Sequence, residues 1–167
     1  MQNILIKSIK YSYIFVLRPI FFLFNSEVIH TVLVNLGEIV GKIAPIRFVI
    51  EKAIQVEHPS LRQNIAGVIF DNPIGLAAGF DYEAKLPKTL PMIGFGFGTI
   101  STITNKPYGG NPPPMLGRLI KSRSLLVNKG FKNSGINKIV GQHKNSKFSI
   151  PIGISIGKTN SRESMTQ

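Results

Sequence analysis

An α/β fold of parallel βα units, preceded by an amphipathic helical segment, is what the sequence predicts, and three observations carry it. Two apolar stripes at helical spacing precede His58-Pro59. Beyond that point the pattern changes to short apolar runs bounded by glycine, proline and asparagine. Those runs alternate with helical or loop stretches, and buried apolar strands alternating with helices argue for a parallel sheet. The chain divides accordingly into a helical extension, residues 1–56, and an α/β part, residues 57–167.

The extension opens with an aromatic-rich lead, Tyr11, Tyr13, Phe15, Phe21, Phe22 and Phe24. Its apolar run from Ile14 to Phe24 is interrupted by Arg18 and Pro19, short of the roughly 20 residues a membrane span requires. No small-x-small cleavage site follows Phe24, which argues against a cleaved signal. Asn25 or Ser26 can cap a helix with Glu27 in its first turn, where a negative charge suits the helix dipole. Val28, Ile29, Val32, Leu33, Leu36, Ile39 and Val40 form its stripe, and Gly41 is placed to end it. Pro45 can open a second helix, with Ile46, Val49, Ile50, Ala53 and Ile54 as its apolar face. Spacing alone leaves two readings of this pair, a hairpin lying on a bilayer or a cap packed on the following domain.

In the α/β part, Ile65 to Phe70 reads as a short strand, Asp71-Asn72-Pro73 as a turn and Ile74 to Ala78 as a second strand. Further strands are predicted at Gly94 to Ser101 and Ile150 to Ile156, and a hairpin from Leu116 to Ile120 and Leu125 to Val127. Helices are predicted near Ala84 to Leu90, bent by Pro87 and Pro91, and near Ser134 to Gln142. The proline-glycine stretch from Lys106 to Pro114 is a loop, and a loop after a strand of such a scaffold often overlies a site.

Composition narrows the function. With 167 residues, 43% of them hydrophobic, the chain has material for a real core. It has no cysteine, and its three histidines, His30, His58 and His143, are dispersed, so no metal site is expected. A net charge of +12 attracts phosphates. Lysine and arginine are spread without long runs or a nucleic-acid motif, so a surface of anionic lipid is the expected partner and nucleic acid is not.

Five motifs, in order, resemble those of the dihydroorotate dehydrogenases. Asn72-Pro73-Ile74-Gly75-Leu76-Ala77-Ala78-Gly79-Phe80-Asp81 resembles the family's opening strand and loop. Gly94-Phe95-Gly96 precedes Ser101-Thr102-Ile103-Thr104, similar to Gly-Thr-Val-Thr. Gly110-Asn111-Pro112 followed by Arg118-Leu119 resembles its proline-rich loop and hairpin. Asn128-Lys129-Gly130-Phe131-Lys132-Asn133 resembles Asn-Arg-Met-Gly-Phe-Asn-Asn, and Gly153-Ile154-Ser155-Ile156-Gly157-Lys158 resembles Gly-Ile-Asn-Ile-Gly-Lys. Leu17-Arg18-Pro19 and the stretch Leu23 to His30 are similar to the extension of the membrane-associated, quinone-using class, which favours the bilayer hairpin over the plain cap.

The resemblance implies a (β/α)8 barrel and oxidation of dihydroorotate to orotate, with FMN as cofactor and a quinone as acceptor, in pyrimidine synthesis. It implies FMN contacts at Ala77, Ala78, Gly79, Thr102 and Ser155, substrate contacts at Tyr82, Asn128, Lys129, Gly130 and Phe131, and a quinone site at His30. Without it, the alanine-glycine bend and Thr102 read as an ordinary turn and strand. With it, small residues that let main chain lie against a planar ring gain a reason. It further implies a peripheral location on the cytoplasmic side of the cell membrane.

Three departures stand out. Tyr82 occupies the place of a lysine that touches flavin and substrate, with Lys85 the nearest substitute; Ser155 replaces an asparagine; and the substrate motif is one residue short, so that ungapped alignment puts Val127 on its first asparagine. The family's catalytic serine, in Asn-x-Ser-x-Pro-Asn, has no match here, and Ser155, Ser161 and Ser164 lack a partnering base, so the catalytic base is expected beyond Gln167. A barrel of this kind takes about 250 residues. The expectation is therefore a partial barrel of the first three or so units, inactive alone. Two other readings are another FMN-dependent barrel oxidoreductase and a non-catalytic basic protein of the membrane surface.

Overall fold

The computed structural model describes residues 2–158. It is α/β, with helices first and a small parallel sheet after them. The aromatic lead is itself helical: α1 (Gln2–Ser12), a π-helical turn (Tyr13–Leu17) and α2 (Arg18–Phe22). Proline 19 lacks an N–H and would break a regular ladder; the wide turn before it, where the Arg18 N–H reaches Tyr13 O, absorbs the defect. None of the described helices is long and apolar enough to cross a membrane.

Helix α3 (Ser26–Lys42) starts where the sequence places it, the Asn25 side chain accepting the Glu27 N–H at 2.7 Å. Its end corrects the reading of Gly41. The helix passes through that glycine to Lys42, and Gly41 is buried against Thr89. A Cβ on Gly37 would come within 2.6 Å of Leu86, and one on Gly41 would meet the Thr89 hydroxyl. Small residues here let α3 approach the α/β part, where Thr89 Oγ1 donates to Gly37 O at 2.6 Å. Val34 packs beside them with Leu86 and Leu90. Helix α4 (Ala44–Ile54) carries Pro45 in its first turn.

The predicted strand from Ile65 to Phe70 is instead a hairpin, β1 (Gln63–Ile65) and β2 (Val68–Phe70), antiparallel about Ala66-Gly67. Both turn residues have positive φ, 52° and 83°, the twist that tight hairpins need. Alanine gives no signal of such a turn in sequence. The main sheet is parallel, in the order β3 (Gly75–Leu76), β4 (Phe97–Ile103), β7 (Ile152–Ile156). A separate antiparallel pair, β5 (Leu116–Leu119) and β6 (Ser124–Val127), matches the predicted hairpin.

The helix expected near Ala84 to Leu90 does not form. Ala84 is left-handed at φ 56°, and the buried Asp81 carboxylate takes the N–H groups of Lys85 and Leu86 at 2.9 and 2.8 Å, closing a turn instead. A short 3-10 turn follows at Pro91–Ile93. Helix α5 (Ile136–His143) covers the sheet, packing Ile139 with Ile100, Ile103 and Ala84. Ser161 and Ser164 lie outside the described residues.

Candidate functional site

The loops that follow β3 and β4 meet the segment after β6 around a cleft of about 430 Å³. Ligands of parallel sheets characteristically bind at the carboxyl ends of the strands, and this cleft lies there. Ala78 and Gly79 leave β3, Ser101 and Thr102 end β4, and Val127 to Lys132 supply the opposite wall. A second cleft, of about 340 Å³, lies between α2 and the β5–β6 hairpin, walled by Arg18, Arg118 and Arg123.

The alanine-glycine bend is pinned from behind and open in front. The Gly79 N–H donates to Ser101 Oγ at 2.6 Å, and the Ser101 N–H donates to Asp81 O at 3.0 Å. No atom lies within 4 Å of where a Cβ on Gly79 would stand, and the residue sits at φ 110°. Main chain is therefore presented bare to the cleft. Thr102 Oγ1 and Ser155 Oγ are 2.9 Å apart, coupling β4 to β7. Ser155 itself stands behind Thr102 and outside the cleft wall, as does Ala77.

One amide organises the opposite wall. Asn133, buried, accepts the Gly135 N–H at 2.7 Å and donates to Thr104 Oγ1 and Phe131 O, both at 2.8 Å. Its main chain also exchanges hydrogen bonds with Tyr108, so the proline-rich loop is tied to the same point. Asn111 at the loop's tip donates twice to the cleft wall, its Nδ2 to Asn128 Oδ1 at 2.8 Å and its N–H to Lys129 O. Val127 and Asn128 both line the cleft. The displaced motif thus keeps an amide there.

Tyr82 lies in the middle of a stack. On one face His30 is nearly parallel, ring centroids 5.4 Å apart; on the other the Lys129 ammonium stands 4.2 Å from the ring centre. Lys85 does not take this place: its Nζ donates to Asn35 at 2.6 Å and pairs with Glu38 at 3.5 Å, drawn toward α3 by that carboxylate. His30 Nε2 bonds Phe80 O at 2.9 Å, so this atom carries the proton and donates. Its pKa is pushed below the usual histidine value by burial first, and by the Lys129 charge second. Burial likewise raises the Asp81 carboxyl above the ordinary carboxylate range, against the pull of the N–H groups it accepts.

Comparisons with known proteins now decide the family. The sequence model of the family described as dihydroorotate dehydrogenase matches residues 60–165. The chain belongs to that family. Curated relatives include the dihydroorotate dehydrogenase (quinone) of Corynebacterium diphtheriae, 38% identical over 138 residues, 83% of this chain and 38% of the relative. The protein of the same name from Sulfurovum is 40% identical over 143 residues, 84% of this chain and 40% of the relative. The chain thus spans about two fifths of the length of these relatives. Among solved structures, the dihydroorotate dehydrogenase of Eimeria tenella in complex with ferulenol superposes with a TM-score of 0.62 at 29% identity, covering 81% of this chain and 36% of that one.

Seen within the dihydroorotate dehydrogenase family, Ala78, Gly79, Tyr82, Thr102, Asn128, Lys129, Gly130 and Phe131 share one cleft, while His30 stands behind Tyr82. Sequence reasoning assigned no role to Ser101, Asn111, Lys132 or Asn133. Asn111 and Asn133 were at hand inside motifs, but only the fold shows that their amides hold the walls.

Proposed function

We propose that this chain forms the flavin- and pyrimidine-facing part of a quinone-linked dihydroorotate dehydrogenase, its parallel strands belonging to a (β/α)8 barrel. The single observation that carries the reading is the bare Gly79 bend facing the cleft, with the Thr102 hydroxyl beside it and an unpartnered ammonium opposite. These residues fit FMN. Ala78 and Gly79 would lie against the ring, because nothing larger than a methyl projects from them, with Ala77 behind them. Thr102, steadied by Ser155, would offer its hydroxyl to a ring heteroatom. Bound there, FMN supplies the hydride acceptor for dihydroorotate and the donor for quinone. Asn128 and Asn111 would bond the pyrimidine amides, Gly130 and Phe131 would shape the floor, and Tyr82 would hold the ligand plane in register. His30 marks the side from which a quinone would approach, through α3 and the lead.

The lead and α3–α4, residues 1–56, are proposed to rest on the cytoplasmic face of the cell membrane. Their exposed apolar side chains, Phe15 at 71% and Leu23 at 82%, support that reading.

Titration of the purified chain with FMN tests the proposal. The expected result is quenching of flavin fluorescence by the native chain and its loss in Gly79→Val, whose side chain would both occupy the ring face and strain a positive φ. A native chain that leaves the fluorescence of added FMN unchanged overturns the reading.

A further inference from the structure

Lys129 poses a question that the fold leaves unanswered internally. It is only 9% exposed, and its Nζ is buried without a hydrogen-bond partner among the described residues. A desolvated ammonium is costly unless an anion or several acceptors compensate it. The nearby carboxylates are otherwise engaged: Glu27 pairs with Lys132 at 3.8 Å, Glu83 accepts from Ser134, and Asp81 closes its own turn. None of them lines the cleft into which Lys129 opens.

What holds the ammonium in place is the Tyr82 ring. A cation over an aromatic face gains less than the cost of burying an unpaired charge. The ring is fixed in turn by His30 on its far face, and His30 by its bond to Phe80 O. The stack therefore sets the position of a positive charge in the cleft wall, with its donors unused by the described residues.

Resting on the reading above, we propose that Lys129, seated on Tyr82, is the residue that recognises the carboxylate of the pyrimidine ligand. The ring amides of such a ligand would face Asn128 and Asn111, and its carboxylate would complete the coordination that the protein withholds from Lys129. Tyr82 is then a positioning residue, acting through the cation above it.

The test compares orotate with uracil, the same ring without the carboxylate, on the full chain supplied with FMN. Binding is read by flavin fluorescence and, independently, by calorimetry. A charge-assisted pair contributes about 1.5–3 kcal/mol, so orotate should bind at least about tenfold tighter than uracil by both readouts. Lys129→Met should shrink the preference to about twofold without changing FMN affinity, Lys129→Arg should restore part of it, and Lys85→Met, remote from the cleft, should leave it intact. An undiminished preference in Lys129→Met overturns the assignment while the flavin reading stands. Weakened binding of FMN but not of riboflavin in that variant also overturns it, because the ammonium would then serve the flavin phosphate. Failure of the native chain to bind flavin at all removes both.

Discussion

Helix α3 packs one narrow face on the α/β part, whereas most of its apolar stripe (Val28, Val32, Leu33, Leu36 and Ile39) and the lead that precedes it are exposed. Val34 of α3 is 7% exposed, whereas Phe15 is 71% and Leu23 is 82% exposed. The difference lies in shape. Gly37 and Gly41 open a groove that accepts Leu86 and Thr89, so α3 docks backbone-close on the α/β part. The lead offers no such groove, and its main tether to that part is polar: Arg118 donates to Phe24 O at 2.7 Å and to Phe21 O at 3.0 Å, with its guanidinium over Phe22. An apolar stripe alone thus does not say which face meets protein; on α3 that face is marked by Val34, Gly37 and Gly41.

Breaking the docked side should have the largest effect. Gly41→Val forces a branched side chain onto Thr89 and should cost about 3 kcal/mol, read as a shifted midpoint in urea denaturation. A stability within experimental error of the native chain would show that α3 can slide. Next in size, Arg118→Ala removes both bonds to the end of α2 and should cost about 1–2 kcal/mol, seen as faster hydrogen exchange in residues 18–25 with little change in the sheet. Replacing Phe15 and Leu23 together by lysine should change stability by less than about 0.5 kcal/mol, since neither is buried, yet abolish sedimentation with neutral-lipid vesicles. Vesicle binding that survives would move the membrane contact away from the lead.

The smallest expected effect concerns pH. Because the folded pKa of His30 is depressed, the folded state holds fewer protons than the unfolded chain, and stability contributed by the neutral ring is present above the unfolded value near 6.5 and lost as pH falls below it. His30→Gln should flatten the decline in melting temperature just below that pH. An unchanged profile would mean that other groups set it.

Much of the framework was legible in the residues. Asn25 followed by Glu27 and a regular stripe marked the start of α3, β-branched runs marked β4 and β7, and short leucine-rich runs marked the β5–β6 pair. What escaped was set by contacts distant in sequence. Gly41 resembles a helix terminator until Thr89 is seen against it. The turn from Tyr82 to Leu90 has the apolar content of a helix, but a left-handed Ala84 and the carboxylate of Asp81 claim its N–H groups. In the cleft, the alanine-glycine bend and Thr102 were readable as a group, whereas the Tyr82–Lys129 pair could not be read at all. Lys85, closer in sequence, was the natural substitute for a missing charge, and Glu38 is what takes it elsewhere.

The hydrogen bonds through the Asn133 side chain and main chain have a kinetic meaning. By joining the end of β4, the proline-rich loop and the segment after β6, they assemble the receiving surface before any guest arrives. Little ordering entropy remains to be lost on association. Capture on this side should then be governed by diffusion and desolvation instead of by loop closure, and softening that one amide should slow arrival more than it hastens departure.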